Sequence, residues 1–187
     1  MKKSLGQNFL IDQNIIRKII TLIDVKKKNI IEIGPGKGAI TNEIIKKKPN
    51  SLQLIEKDDK LFIELKKKFK NNKTVEVHHA DILKFNLEKI LKKNSVIFGN
   101  LPYNISSQIL VKILRFKYWP PKLSDMIFMF QKELAEKIIA RYPSSNYGRL
   151  SILSSYRLDI IKKFLVSPNC FYPKPKVNSM VIHFKPK

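Results

Sequence analysis

Asn29-Ile30-Ile31-Glu32-Ile33 is a short apolar run carrying one carboxylate, and Gly34-Pro35-Gly36-Lys37-Gly38 breaks it sharply. Such a run reads as a buried strand, and the glycines behind it let the backbone turn at positive φ and approach a ligand closely. Ala39 to Lys48 then reads as a helix, ended by Pro49-Asn50. A strand, a tight turn and a helix make up most of a parallel crossover, and the pattern recurs along the chain. Further strands are expected at Leu52–Ile55, Thr74–His78, Val96–Gly99, Asp125–Phe130, Ile160–Val166 and Ser179–Phe184. Between them lie helices from Asp59 to about Lys70, from a cap at Ser106 or Ser107 to about Phe116, over Lys132–Ala140 and near Arg149–Tyr156. An earlier helix is capped by Asp12, with Ile15, Ile16, Ile19, Ile20 and Ile23 at helical spacing. The last two strands are joined by Pro168 to Pro175, too short for a helical crossover, so they should pair antiparallel.

Composition narrows the partners. The chain has 187 residues, 43% of them apolar, enough for one α/β domain with a substantial core. A formal charge of +22 calls for a polyanionic partner, nucleic acid before membrane. Only five of the 37 basic residues are Arg, and a Lys-, Ile- and Asn-rich composition also fits an A+T-rich genome with lysines on solvated faces. Cys170 is the single cysteine, and the three histidines (His78, His79 and His183) form no ligand pattern, so neither a disulfide framework nor a metal is expected. The basic start, Met1 to Gly6, leads into no apolar segment, and no run approaches membrane-spanning length. A cytoplasmic protein without a membrane partner is expected.

Asn100-Leu101-Pro102-Tyr103 follows the apolar run Val96-Ile97-Phe98. The Asn amide oxygen and the carbonyl before Pro102 can accept both hydrogens of an amine on a flat ring, because proline keeps Leu101 extended. Tyr103 offers a stacking face. An amine held in this way aims its lone pair at an electrophile, and the glycine turn points to its source. A dinucleotide pyrophosphate wants G-x-G-x-x-G; here the spacing is G-x-G-x-G, and Glu32 beside it would repel phosphate but favour a cation. S-adenosylmethionine, a nucleoside with an amino-acid tail and a sulfonium, is the better match. Glu56, at the end of the next strand, can accept from the ribose hydroxyls. Asp81 can accept from the adenine amine, with Ile82 against the ring.

These blocks, with Leu5-Gly6-Gln7-Asn8-Phe9-Leu10, Ile55-Glu56-Lys57-Asp58, Asp81-Ile82-Leu83, Gln131-Lys132-Glu133 and Phe171 to Ser179, span nearly the whole chain. The chain resembles the ribosomal RNA adenine N6,N6-dimethyltransferases, in particular those acting on two adjacent adenines near the 3′ end of 16S RNA. The resemblance implies a Rossmann-like class I methyltransferase fold, with a mostly parallel seven-stranded sheet, an antiparallel last strand and helices on both faces. It implies that Gln7, Asn8 and Leu10 close over the methionine end of the cofactor, and that Glu32, Gly34, Gly36, Glu56, Lys57, Asp81, Ile82 and Asn100 line the rest. Asn100, Leu101, Pro102 and Tyr103 would hold the target adenine, with Phe171 stacking opposite Tyr103. The implied partner is 16S rRNA in a small-subunit precursor, met by a monomer. Family members carry a small helical C-terminal domain after the Val-x-Ser strand, whereas this chain stops at Lys187, so one catalytic domain over residues 1–187 is expected. Three rivals stand beside this reading: a 23S rRNA enzyme of the macrolide-resistance type, a DNA adenine methyltransferase, and a non-catalytic RNA-binding relative.

Overall fold

The computed structural model describes residues 7–187; Leu5 and Gly6 of the N-terminal block lie outside the described residues. The elements follow in the order β1 (Phe9–Leu10), α1 (Gln13–Ile20), β2 (Asn29–Ile33), α2 (Ala39–Lys46), β3 (Ser51–Glu56), α3 (Asp59–Lys68), β4 (Val75–His79), β5 (Ser95–Asn100), α4 (Ser106–Leu114), β6 (Leu123–Gln131), α5 (Lys132–Ile139), α6 (Arg149–Arg157), β7 (Leu158–Val166), β8 (Phe171–Tyr172) and β9 (Ser179–Pro186). Seven strands form one sheet in the order β4-β3-β2-β5-β6-β9-β7. Only β9 runs against its neighbours, so the expected mixed sheet is observed.

The central strands are apolar on both sides because both sides are covered. In β5, Val96 and Phe98 join the core beneath α1, α2 and α3, while Ile97 joins the opposite core beneath α4 and α5. In β6, Ile127 and Met129 face the first core; Met126, Phe128 and Phe130 face the second, where Phe128 and Phe130 meet edge to face. The period of two that places these side chains is the strand pleat itself.

Chain order reverses at the middle of the sheet. The path steps outward from β2 to β3 to β4 and then returns to β5 on the other flank of β2. Ile33 is therefore level with Ile55 on one side and with Gly99 on the other. The carboxyl ends of β2, β3 and β5 open onto one crevice, where open α/β sheets bind ligands.

Two details differ from expectation. Ser106 does not cap α4; Ile105 holds that position, and the Ser106 hydroxyl donates instead to the Tyr103 carbonyl at 3.2 Å. A two-stranded ribbon pairs β1 with β8, Phe9 opposite Tyr172 and Leu10 opposite Phe171. Strands of two residues have no periodicity to detect, so only the folded chain reveals them.

Replacing Phe128 with Ala empties a fully buried ring site. The expected cost is about 3–5 kcal/mol of unfolding free energy, read from urea denaturation; a loss under about 1 kcal/mol would contradict this packing.

Candidate active site

The crevice is a cavity of about 450 Å³ bordered by the turn after β2, the ends of β3 and β5, the segment after β4 and residues 7–11. Gly34 takes φ +64°, and a side chain there would stand 3.9 Å from both the Asn100 carbonyl and Pro102 Cδ, so the two motifs are in direct apposition. At Gly36, φ is +58° and an added Cβ would come within 2.9 Å of the Phe9 ring. Only glycine lets the β1 segment close down on the turn.

The carboxylates at the strand ends are tied differently. Glu56 Oε1 accepts from the Lys57 and Asp58 backbone amides, each at 2.9 Å, and Oε2 accepts from Gly36 N at 3.2 Å. These bonds orient the group and leave lone-pair capacity toward the cavity. Burial raises the Glu56 pKa, with the three amides pulling it back. Glu32 is buried and its Oε2 accepts from Thr41 Oγ1 at 2.6 Å. Burial pushes its pKa up to about 7, and the nearby Glu56 charge adds to the rise. Asp81 instead bonds Lys57 Nζ at 2.9 Å and Leu83 N at 2.9 Å, and the Lys57 bond holds it below the ordinary carboxylate range. Neither Glu32 nor Glu56 has an ion-pair partner among the described residues.

Asn100 Nδ2 donates to the Asn8 carbonyl at 2.9 Å, which fixes the amide and leaves Oδ1 an acceptor with no partner among the described residues. The Asn100–Tyr103 backbone is held by Ile105 N on the Pro102 carbonyl and Ser106 Oγ on the Tyr103 carbonyl. The Tyr103 hydroxyl meets Ser179 Oγ at 2.6 Å, and burial raises the phenol pKa despite that bond.

Gln7, Asn8, Leu10, Glu32, Gly34, Gly36, Glu56, Lys57, Asp81, Ile82, Asn100, Leu101, Pro102 and Tyr103 all border the one cavity. Phe171 does not. It is 3% exposed and packs in the core beneath α1–α3, so in this conformation its ring is core packing rather than a wall facing Tyr103. The exposed aromatic is its neighbour Tyr172, at 63%. Sequence reasoning also missed Thr41, Phe9 and Ser179 as partners of Glu32, Gly36 and Tyr103. Of these, Phe9 and Ser179 sit inside blocks that the family resemblance covers, whereas Thr41 carries no signal beyond its place on α2.

Comparisons with known proteins identify the family. The sequence model of the family described as ribosomal RNA adenine dimethylase matches residues 1–187. A ribosomal RNA small subunit methyltransferase A from Pelagibacter ubique (strain HTCC1062) is 47% identical, with 100% of this chain and 70% of that protein aligned. The protein of the same name from Francisella tularensis subsp. novicida (strain U112) is 42% identical, over 100% of this chain and 71% of that one. The crystal structure of a dimethyladenosine transferase from Plasmodium falciparum superposes with a TM-score of 0.83 at 31% identity, covering 96% of this chain and 63% of that chain. The chain thus spans about two thirds of the length of these relatives. With the family model matched from end to end, the chain belongs to the ribosomal RNA adenine dimethylase family.

Proposed function

We propose that the chain transfers methyl groups from S-adenosylmethionine to N6 of adenine in ribosomal RNA, with two adjacent adenines near the 3′ end of 16S rRNA as its targets, in small-subunit maturation. The observation that carries this reading is the apposition of Asn100–Tyr103 with the Gly34–Gly38 turn over a cavity holding two buried carboxyls that have no ion-pair partner among the described residues. The naming of relatives at 42–47% identity for the small subunit supports that target over the large one.

The residues present fit the cofactor. A crevice lined by Glu32, Glu56 and Asp81 in a chain of net charge +22 suits a cationic nucleoside and disfavours a phosphate-bearing one. Glu56 would take the ribose hydroxyls, Asp81 and Ile82 the adenine, and Gln7, Asn8 and Leu10 the methionine end. When bound, the sulfonium supplies an electrophilic methyl group.

The chain's own part is orientation. Asn100 Oδ1 and the Leu101 carbonyl accept the two N6 hydrogens, which turns the nitrogen lone pair toward the methyl. Tyr103 supports the ring face. No strong base is required beforehand, because the methylated nitrogen is acidic enough to lose its proton afterwards. Catalysis then rests on positioning and on fixed dipoles. A second methyl goes onto the same nitrogen once the first occupies one acceptor position, giving the N6,N6-dimethyl product. The target base must be unpaired, as loops of folded RNA provide.

Asn100→Ala is expected to lower methyl transfer by ~10²-fold or more in a radiolabelled assay on undermodified small subunits, with RNA affinity little changed; near-normal turnover would sink the site. Glu32 also makes the reading pH-sensitive. In the free chain it holds its proton to about pH 7, so affinity for a cationic cofactor should rise about tenfold from pH 6 to 8, and Glu32→Gln should flatten that slope in calorimetry. The same carboxyl releases its proton near pH 4.5 when unfolded and near 7 when folded, so stability is lost as pH climbs through that window. Glu32→Gln should accordingly raise the melting temperature of the cofactor-free chain at pH 8 but not at pH 4. RNA affinity should fall steeply between about 50 and 200 mM salt; a flat response in a filter-binding titration would assign the positive charge to solvation alone.

A further inference from the structure

Ser179 closes the Phe171–Ser179 block that carries part of the family resemblance, yet nothing in the proposed chemistry uses it. It is fully buried and is the first residue of β9, level with Gln131 of β6 on one side and Val166 of β7 on the other. The carbonyl of its neighbour Asn178 accepts from Lys132 N at 2.9 Å, tying the same point to the start of α5. Its hydroxyl therefore sits on the body of the sheet and not on a loop. Its one side-chain partner among the described residues is the Tyr103 hydroxyl, at 2.6 Å.

The other bonds of the Asn100–Tyr103 segment hold its amide and backbone: Asn8 O on Asn100, Ile105 N on Pro102, and Ser106 Oγ on the Tyr103 carbonyl. None of them touches the ring. A phenol ring swings on two torsions. Anchoring its oxygen fixes the direction of the ring axis, and the in-plane bonding preference of the hydroxyl restricts rotation about that axis.

We propose that Ser179 is a positioning residue that holds the Tyr103 ring in place as the stacking face for the target base, acting through Tyr103 and never on the substrate. The proposal rests on the methyltransferase reading above. A sheet-borne anchor suits the task, because a misplacement of about 1 Å at a reacting centre can cost ~10²-fold in rate.

The test compares Ser179→Ala, Tyr103→Phe and the double variant. It measures kcat for adenine methylation, the Kd for S-adenosylmethionine, and the Tyr103 aromatic NMR signals of the free chain. Each single variant should lower kcat about tenfold with cofactor Kd unchanged within about twofold. The double variant should fall no further than the worse single, since both remove one bond. Ser179→Thr, which keeps the hydroxyl, should recover most of the rate. In Ser179→Ala the Tyr103 ring signals should shift and average through faster ring rotation. A Ser179→Ala enzyme within about twofold of the parent, or single losses that multiply in the double variant, would overturn the proposal. If the parent chain methylates no adenine, the functional reading fails instead, and the NMR arm alone decides whether Ser179 restrains the ring: unchanged signals in Ser179→Ala would refute it.

Discussion

The pairing of β2 with β5 is the constraint from which the rest of the molecule follows. Four register pairs, from Ile30 opposite Val96 to Ile33 opposite Gly99, join two strands separated in sequence by two other strands, β3 and β4. That pairing reverses the strand order and brings the Gly34 turn against Asn100. Each strand reads alone as a hydrophobic run with a terminator. Side by side, their ends become two walls of one cavity. The apolar cores on both faces of the sheet hold the pairing, so a site built of loops inherits the rigidity of the most buried strands.

Electrostatics changes sign between the outside and the inside of the chain. Lysines dominate the surface and give the net charge of +22. The cavity holds carboxyls, two of them, Glu32 and Glu56, buried and without an ion-pair partner among the described residues. Keeping Glu32 and Glu56 there works against their ionisation and is tolerated because Thr41 and three backbone amides compensate. The arrangement suits the two ligands proposed above, a polyanion on the outside and a cationic nucleoside in the crevice.

The two ends of the described chain converge on the same place. The β1–β8 ribbon lays Phe9 over Gly36, Asn8 pins the Asn100 amide, and β9 carries the hydroxyl that meets Tyr103. The Asn100–Tyr103 segment is thus clamped by strands whose own side chains, among them Leu10, Phe171, Val181 and Ile182, belong to the two cores. The burial of Phe171 in this clamp, with Tyr172 turned outward, shows how a two-residue strand decides which of two adjacent aromatics meets solvent.

Seven strands, the six longer helices and the antiparallel last pair were legible in the sequence, because apolar periodicity and glycine or proline terminators act locally. So were the residues at the strand ends: Glu32, Gly34, Glu56, Asp81 and Asn100 sit where a parallel strand stops, and a parallel sheet gathers its stops on one edge. What the sequence could not carry was pairing across long separation. The ribbon of Phe9 with Tyr172, the bonds from Asn8 to Asn100 and from Ser179 to Tyr103, and the inward turn of Phe171 all join residues far apart in the chain. The near-neutral pKa of Glu32 belongs with them, since it arises from burial and a neighbouring charge that exist only once the sheet has closed. Chemical identity at each position was local and readable; orientation and charge state are properties of the packed whole.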